Sequence, residues 1–167
     1  MSNEEYICKI PTMEEINKRL EHATILEVNN RNTWRNNIIQ DATSKKSITY
    51  YGIMNGEVVS EATASISQES FYVKDSKQLI DQDMAYLSAF MTNKEYRNNG
   101  FFSRLFQYMI EDLKKKGYTK FTIGVKKDDY LNKSIYLKYG FTKFIKSLIM
   151  EYPNGEQNEV EYYLKIV

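Results

Sequence analysis

The 167-residue chain has one cysteine, Cys8, and one histidine, His22. A single cysteine cannot close a disulfide within the chain, the usage expected of a reducing cytoplasm. A single histidine excludes a histidine-rich metal centre, and no metal is expected. With seven glycines and two prolines there is no linker or low-complexity segment, and no internal repeat is visible. Neither charge sign dominates: 23 lysines and arginines face 22 acids. That balance argues against nucleic acid or a membrane surface as partner. No apolar run approaches a membrane span. The start, MSNEEYICKI, lacks a basic stretch followed by an apolar one, so no signal peptide is expected and the location reads as cytoplasmic.

What is present is a core. Hydrophobic residues make up 42% of the chain and aromatic ones 14%, too many for a disordered chain. The length suits one domain over residues 1–167, burying roughly 70% of the surface its unfolded chain exposes. The neutral total hides an asymmetry. Residues 94–146 hold 13 basic and five acidic side chains, against 10 and 17 elsewhere. Lysines on solvated helix faces account for such a split, as does a polyanionic ligand on one side and a cationic one on the other.

Periodicity gives the elements. Glu5 to Ile10 reads as a strand. Thr12, with Glu15 three residues on, forms a capping box opening a helix over Met13 to His22. A weaker helix covers Asn32 to Ala42, with Trp34 and Ile38 four apart. Ser47 to Met54 and Glu57 to Ser67 flank Asn55-Gly56, a strong hairpin signal. Gln68 to Ile80 is polar and reads as a loop. Met84 to Thr92 is nearly uncharged, as expected of a central strand covered on both faces. Phe101 to Lys116 places Phe101, Leu105 and Met109 in one row and Phe102, Phe106, Ile110 and Leu113 in the next, a broad amphipathic face ended by Gly117. Thr119 to Val125 alternates as a strand. Asp128 or Asp129 caps a short helix ending before Gly140, and Phe141 to Tyr152 and Glu159 to Val167 close the chain as a hairpin.

Two segments carry chemistry. Between the uncharged strand and the long helix stands Arg97-Asn98-Asn99-Gly100-Phe101-Phe102. A helix start offers unpaired N–H groups and partial positive charge, Gly100 lets the backbone approach an anion, and Arg97 adds a full charge. A plain helix start capped by an asparagine fits the same residues. No Gly-Lys-Ser/Thr follows and no G-x-G-x-x-G is present, so neither a P-loop nor a dinucleotide fingerprint is at hand. In the second segment Asp129, Asn132 and Tyr136 share one helix face. Tyr136 there reads as a group facing a thiol or phosphopantetheine arm, or as one of 14 tyrosines filling core and rim.

Together the segments resemble the GNAT superfamily of acyl-CoA-dependent N-acyltransferases. The family's turn Q/R-x-x-G-x-G/A corresponds to Arg97 through Phe102, and its Tyr-x-Lys-x-Gly-Phe to Tyr136, Lys138, Gly140 and Phe141. The likeness spans Met84 to Phe144. Phe102 stands where the family has Gly or Ala, and Asp129 where it often has Asn.

The resemblance implies an α/β (α+β) fold: a mixed, mostly antiparallel sheet of about seven strands with splayed central strands, flanked by about four helices. It implies acetyl-CoA as co-substrate and an N-acetyltransferase acting by direct attack in a ternary complex. The backbone of Phe90, Met91 and Thr92 would pair with the pantetheine arm and supply an oxyanion donor. Arg97, Asn98, Asn99, Gly100, Phe101, Phe102 and Ser103 would cradle the pyrophosphate. Asn132 would take part of the role of the family's asparagine, and Lys133 would reach the ribose phosphate. Tyr136 would be the general acid. A covalent acyl-Cys8 route is the minor alternative. For the general base, Glu61 is the first candidate, a mid-strand carboxylate with apolar neighbours that also reads as a solvated strand-face residue; Asp83 and Tyr86 come next. His22 reads as helix surface. The acceptor is a small-molecule or peptide amine, and the acidic remainder of the chain favours a cationic one. A homodimer through the Tyr-rich 152–163 region is the assembly the family suggests. Phe102 keeps a second reading open, a catalytically silent acyl-CoA sensor or assembly module.

Overall fold

The computed structural model describes residues 5–21, 28–73, 76–152 and 154–167. Among them run β1 (Tyr6–Lys9), α1 (Met13–Glu21), α2 (Val28–Thr43), β2 (Ser47–Met54), β3 (Glu57–Ser65), β4 (Met84–Thr92), α3 (Phe101–Lys115), β5 (Lys120–Lys126), α4 (Tyr130–Lys138), β6 (Lys143–Glu151) and β7 (Gln157–Ile166). Local chemistry sets several of these boundaries. The Glu15 N–H donates to Thr12 Oγ1 at 3.2 Å and the Thr12 N–H to Glu15 Oε1 at 3.1 Å, so the capping box starts α1. Asn55 and Gly56 both take positive φ, +51° and +78°, as a two-residue hairpin turn requires. At the end of α3 the Tyr118 N–H reaches the Leu113 carbonyl and the Gly117 N–H the Lys114 carbonyl, both at 3.0 Å. The same pair of bonds ends α4 at Gly140 and Phe141. His22 lies outside the described residues.

The strands form one sheet in the order β1-β2-β3-β4-β5-β7-β6, antiparallel at every step but β4–β5. This is the mixed, mostly antiparallel sheet with four helices that the sequence implies. One face packs against α3 and α4. There Leu105, Met109 and Leu113, four apart and fully buried, meet Tyr50, Ala62, Ala64, Leu87, Phe121 and Ile123. On the other face Ile16 and Leu20 of α1, with Trp34, Ile38 and Ile39 of α2, cover Tyr51.

Two register shifts shape the middle of the sheet. In β2–β3 the pairing steps from Ile53–Val58 to Gly52–Ser60, leaving Val59 as the extra residue. In β3–β4 it steps from Thr63–Ser88 to Glu61–Met91, so β4 gains one residue at Ala89, which has φ +55°. The bulge changes which side chains face which layer. Leu87 and Phe90, three apart, both pack toward α3, while Ala89, Met91 and Asn93 line the opposite face. The parallel ladder between β4 and β5 stops at Leu87–Ile123. From Ser88 onward β4 is paired only to β3, and its other edge opens onto a gap. The strand is therefore covered on both faces only in its first half, against the expectation for Met84 to Thr92. The bulge and the loss of β5 explain the exposure of Ala89 and Met91.

A close approach holds the outer end of α3 to the sheet. Tyr6 stacks on Phe101 with ring centroids 4.4 Å apart, and its hydroxyl donates to the Phe101 carbonyl at 2.9 Å and receives from Ser60 Oγ at 2.7 Å. A Cβ at Gly52 would collide with both hydroxyls. Gly52→Ala is thus expected to destabilise the fold by about 1–3 kcal/mol, the usual range for overpacking. Thermal unfolding measures this, and an unchanged melting temperature would refute the contact.

Candidate active site

The first part of the site is the start of α3. Its N-cap is Gly100, at φ +75°, with no side-chain capping bond and no acid in the first turn. The asparagine-capped alternative is therefore not what forms. The Asn99 side-chain amide turns back, donating to the Tyr96 and Arg97 carbonyls at 3.2 and 3.1 Å. A helix start without cap or acid leaves its positive end available to an anion. By contrast α1, which has no such use, carries Glu14 and Glu15 in its first turn. Asn98 at φ +64° and Gly100 bend the loop into the left-handed turns from which N–H concavities are built. A cavity of about 160 Å³ lies there, lined by Thr92, Arg97, Asn98, Gly100, Phe102 and Ser103 among others. A Cβ on Gly100 would meet nothing within 4 Å, so the space in front of the loop is open. Arg97 stands at its lip, its Nε donating to the Thr92 carbonyl at 3.0 Å.

Phe102 does not fill this cavity. Its ring turns into the core, with centroids 5.4 Å from Phe90 and 5.6 Å from Tyr139, and it packs partly buried against the main cluster. Ser103 Oγ is 2.5 Å from the Tyr139 hydroxyl, a bond that joins α3 to the end of α4.

The second part is the gap itself. Phe90 reaches from β4 toward Tyr136 of α4, with ring centroids 6.0 Å apart, and Tyr136 also meets Phe141 at 6.3 Å. Burial, with Asp129 adding to it, pushes the Tyr136 phenol above its ordinary value, so it stays protonated across the neutral range. Where the two strands part, the Ser88 hydroxyl is buried without a hydrogen-bond partner among the described residues. An orphaned hydroxyl beside an unpaired strand edge is what a polar ligand lying in the gap would satisfy. The uncapped helix start, the open glycine and the one-sided strand fit a nucleotide with an extended arm.

The third part lies across the sheet. A cleft of about 450 Å³ is walled by α1, α2 and the strands, with Ile16, Leu20, Trp34, Ile38, Tyr51, Tyr72, Ala89 and Met91 among its lining. Glu61 faces it, and Arg19 of α1 bonds to Glu61 through Nε at 3.3 Å. Glu61 is therefore ion-paired, not the carboxylate among apolar neighbours read from its strand. The end of β4 and Asn93 after it form the wall between cleft and cradle, because the bulge sends Ala89, Met91 and Asn93 one way and Thr92 the other.

Several candidates fall elsewhere. Lys133 is bonded to Glu161 and donates to the Lys127 carbonyl at 3.1 Å; this ties α4 to β7 and does not leave the ammonium free for a ribose phosphate. Asn132 serves the start of α4, its side chain donating to Asp129 at 2.7 Å while its backbone N–H is capped by the same carboxylate. Asp83 precedes the far end of β4 and pairs with Lys120 at 3.3 Å, away from both cavities. Tyr86 is pushed up by burial, a poor base. Cys8 is half-buried on β1 and burial pushes its thiol up, which leaves little thiolate for a covalent route. Arg19, Tyr51 and Tyr72 were not singled out from sequence, and Trp34 was read only as marking a helix face. The signal available was Tyr51 three residues before the end of one hairpin arm and Glu61 on the other arm.

The family model for Acetyltransferase (GNAT) family matches residues 12–141. No curated protein matches the chain in sequence. Among solved structures, the ribosomal-protein-S18-alanine N-acetyltransferase of Escherichia coli superposes with TM-score 0.66 at 13% identity, over 98% of this chain and 94% of that one. An acetyltransferase of the GNAT family from Streptococcus pneumoniae gives 0.67 at 16% identity, over 98% and 100%. A ribosomal L7/L12 alpha-N-protein acetyltransferase in complex with coenzyme A gives 0.69 at 13% identity, over 99% and 96%.

Proposed function

The chain belongs to the acetyltransferase (GNAT) family, and from that premise we propose that it is one acetyltransferase domain moving an acetyl group from acetyl-CoA to a primary amine in a ternary complex. The observation that carries this reading is the outer half of β4, paired to β3 alone and set between an uncapped α3 start and the Tyr136 phenol. Each part has a use. The N–H groups of Gly100 through Ser103, with Arg97, hold a pyrophosphate. The free edge at Phe90, Met91 and Thr92 pairs with the pantetheine amides, as an added strand would, and turns an N–H toward the carbonyl that becomes an oxyanion. When bound, acetyl-CoA supplies an activated acyl carbonyl and a thiol leaving group. Glu61 faces the cleft from which an amine would approach and accepts a proton from its ammonium, directly or through water. Tyr136 gives its Oη proton to the sulfur as the carbon–sulfur bond breaks and the carbon–nitrogen bond forms. The second proton shed by nitrogen restores the phenol. One proton is released per turnover.

The coenzyme A complex of a structure sharing this fold supports the choice of cofactor. A panel of amines incubated with acetyl-CoA and protein, read by thiol release, tests the proposal. Release above the rate without amine is expected for at least one acceptor. A thermal shift with acetyl-CoA but no thiol release from any amine would sink the transfer reading in favour of a silent acyl-CoA sensor.

A further inference from the structure

The acceptor class is written in the charge arithmetic of the cleft. Among the described residues its only charged linings are Arg19 and Glu61, one of each sign, 3.3 Å apart and each 27% exposed. Only Nε of Arg19 is engaged; its terminal nitrogens have no partner among the described residues. Most of the remaining wall is apolar or aromatic, with Leu20, Trp34, Ile38, Tyr51, Tyr72 and Met91, and Thr49, Thr63 and Asn93 add uncharged polar groups. Tyr51 and Met91 stand opposite Glu61 on the two neighbouring strands.

Three kinds of amine meet this wall differently. A polycation brings further positive charge against Arg19 and finds a single carboxylate, which goes against the cationic acceptor suggested by the acidic remainder of the chain. A simple monoamine takes Glu61 and leaves the free fork of Arg19 unfilled in a half-buried setting. An α-amino acid carries both charges on neighbouring atoms. Its ammonium takes Glu61, its carboxylate takes the free fork of Arg19, and one ion pair is exchanged for two. The aromatic wall then receives the side chain. A volume of about 450 Å³ is in the range of small-molecule sites and has room for a bulky residue.

We propose that the acceptor is a free α-amino acid with an apolar or aromatic side chain, its carboxylate bound by Arg19 and its amine by Glu61. This rests on the transferase reading but is tested apart from it. Isothermal titration of the protein with CoA present compares L-phenylalanine, phenethylamine, L-phenylalaninamide and spermidine. L-Phenylalanine is expected to bind at least tenfold more tightly than each of the others. Equal or tighter binding of phenethylamine or spermidine overturns the proposal. So does a preference for the amide, which would point to a peptide N-terminus. Thiol-release kinetics give a second readout. The ratio of kcat/KM for phenylalanine over phenethylamine should fall at least tenfold in Arg19→Gln and be restored in Arg19→Lys; an unchanged ratio in a folded Arg19→Gln also overturns it. If Arg19→Gln fails to fold, the wild-type ligand comparison alone decides. Binding of phenylalanine without thiol release would sink the transferase reading and leave the ligand assignment standing.

Discussion

Tyr136→Phe is expected to lower kcat by about 10²- to 10⁴-fold, the span typical of losing a general acid, while acetyl-CoA binds as before. The reasoning is local. The ring makes its contacts through carbon, at Phe90 and Phe141, and phenylalanine keeps those contacts. Burial and the charge of Asp129 act on the phenol, with no side-chain hydrogen bond among the causes, so removing the oxygen breaks no such bond. What is lost is the proton that would go to the departing sulfur. The pH profile gives an independent check with a definite sign. Burial raises the Tyr136 phenol above its ordinary 10.0. A general acid works while protonated, so this group leaves kcat level through the neutral range and lowers it only as pH rises through the raised value. The variant should lose that alkaline limb. Unchanged kcat with normal acetyl-CoA affinity would remove Tyr136 from the chemistry, and an alkaline limb that persists in Tyr136→Phe would assign it to another group.

What could be read from sequence divides along a physical line. Caps, turns and face periodicity are local, and they came through: the Thr12–Glu15 box, the Asn55-Gly56 turn, the buried row of α3 and the Asp129 cap of α4 all form as their residue types dictate. The loop from Arg97 to Gly100 was legible for the same reason, since a left-handed glycine before an amphipathic helix is a local signal. The cleft was not legible, because it depends on two bulges that carry no sequence mark. From the turn at residues 55–56, simple counting pairs Tyr51 with Ser60; the extra residue at Val59 instead sets it against Glu61. The β4 bulge sits at Ala89, a non-glycine with positive φ in a stretch that reads as unbroken strand. Such a residue is held by tertiary context, not by its own preference. Without that bulge Met91 would face α3, and the wall shared by cleft and cradle would not form. Arg19 was missed for a related reason: its partner is 42 residues away on another element, and helix spacing says nothing about it. Lys133 was misjudged because an exposed-looking lysine on a polar helix gave no hint of Glu161 beneath it.

Gly100→Trp should abolish measurable acetyl-CoA binding, with affinity down at least ~100-fold, in a protein that still folds. Two effects of the substitution can be separated. Any L-residue at φ +75° is strained, at a cost of about 1–2 kcal/mol, and that lowers stability whether or not ligand is present. The second effect is spatial. A Cβ there meets no protein atom within 4 Å, and Gly100 lines the cavity before the helix start, so an indole at this position has that space to enter. An indole in that space competes with whatever the N–H groups hold. Gly100→Ala isolates the strain: it should lose stability to a similar degree but much less affinity, because one methyl leaves most of the 160 Å³ cavity open. Calorimetry with acetyl-CoA and thermal unfolding without it measure the two quantities independently. If Gly100→Trp melts like Gly100→Ala and still binds acetyl-CoA normally, the pyrophosphate does not lie at this helix start, and the roles given to Arg97 and its neighbours fall with it.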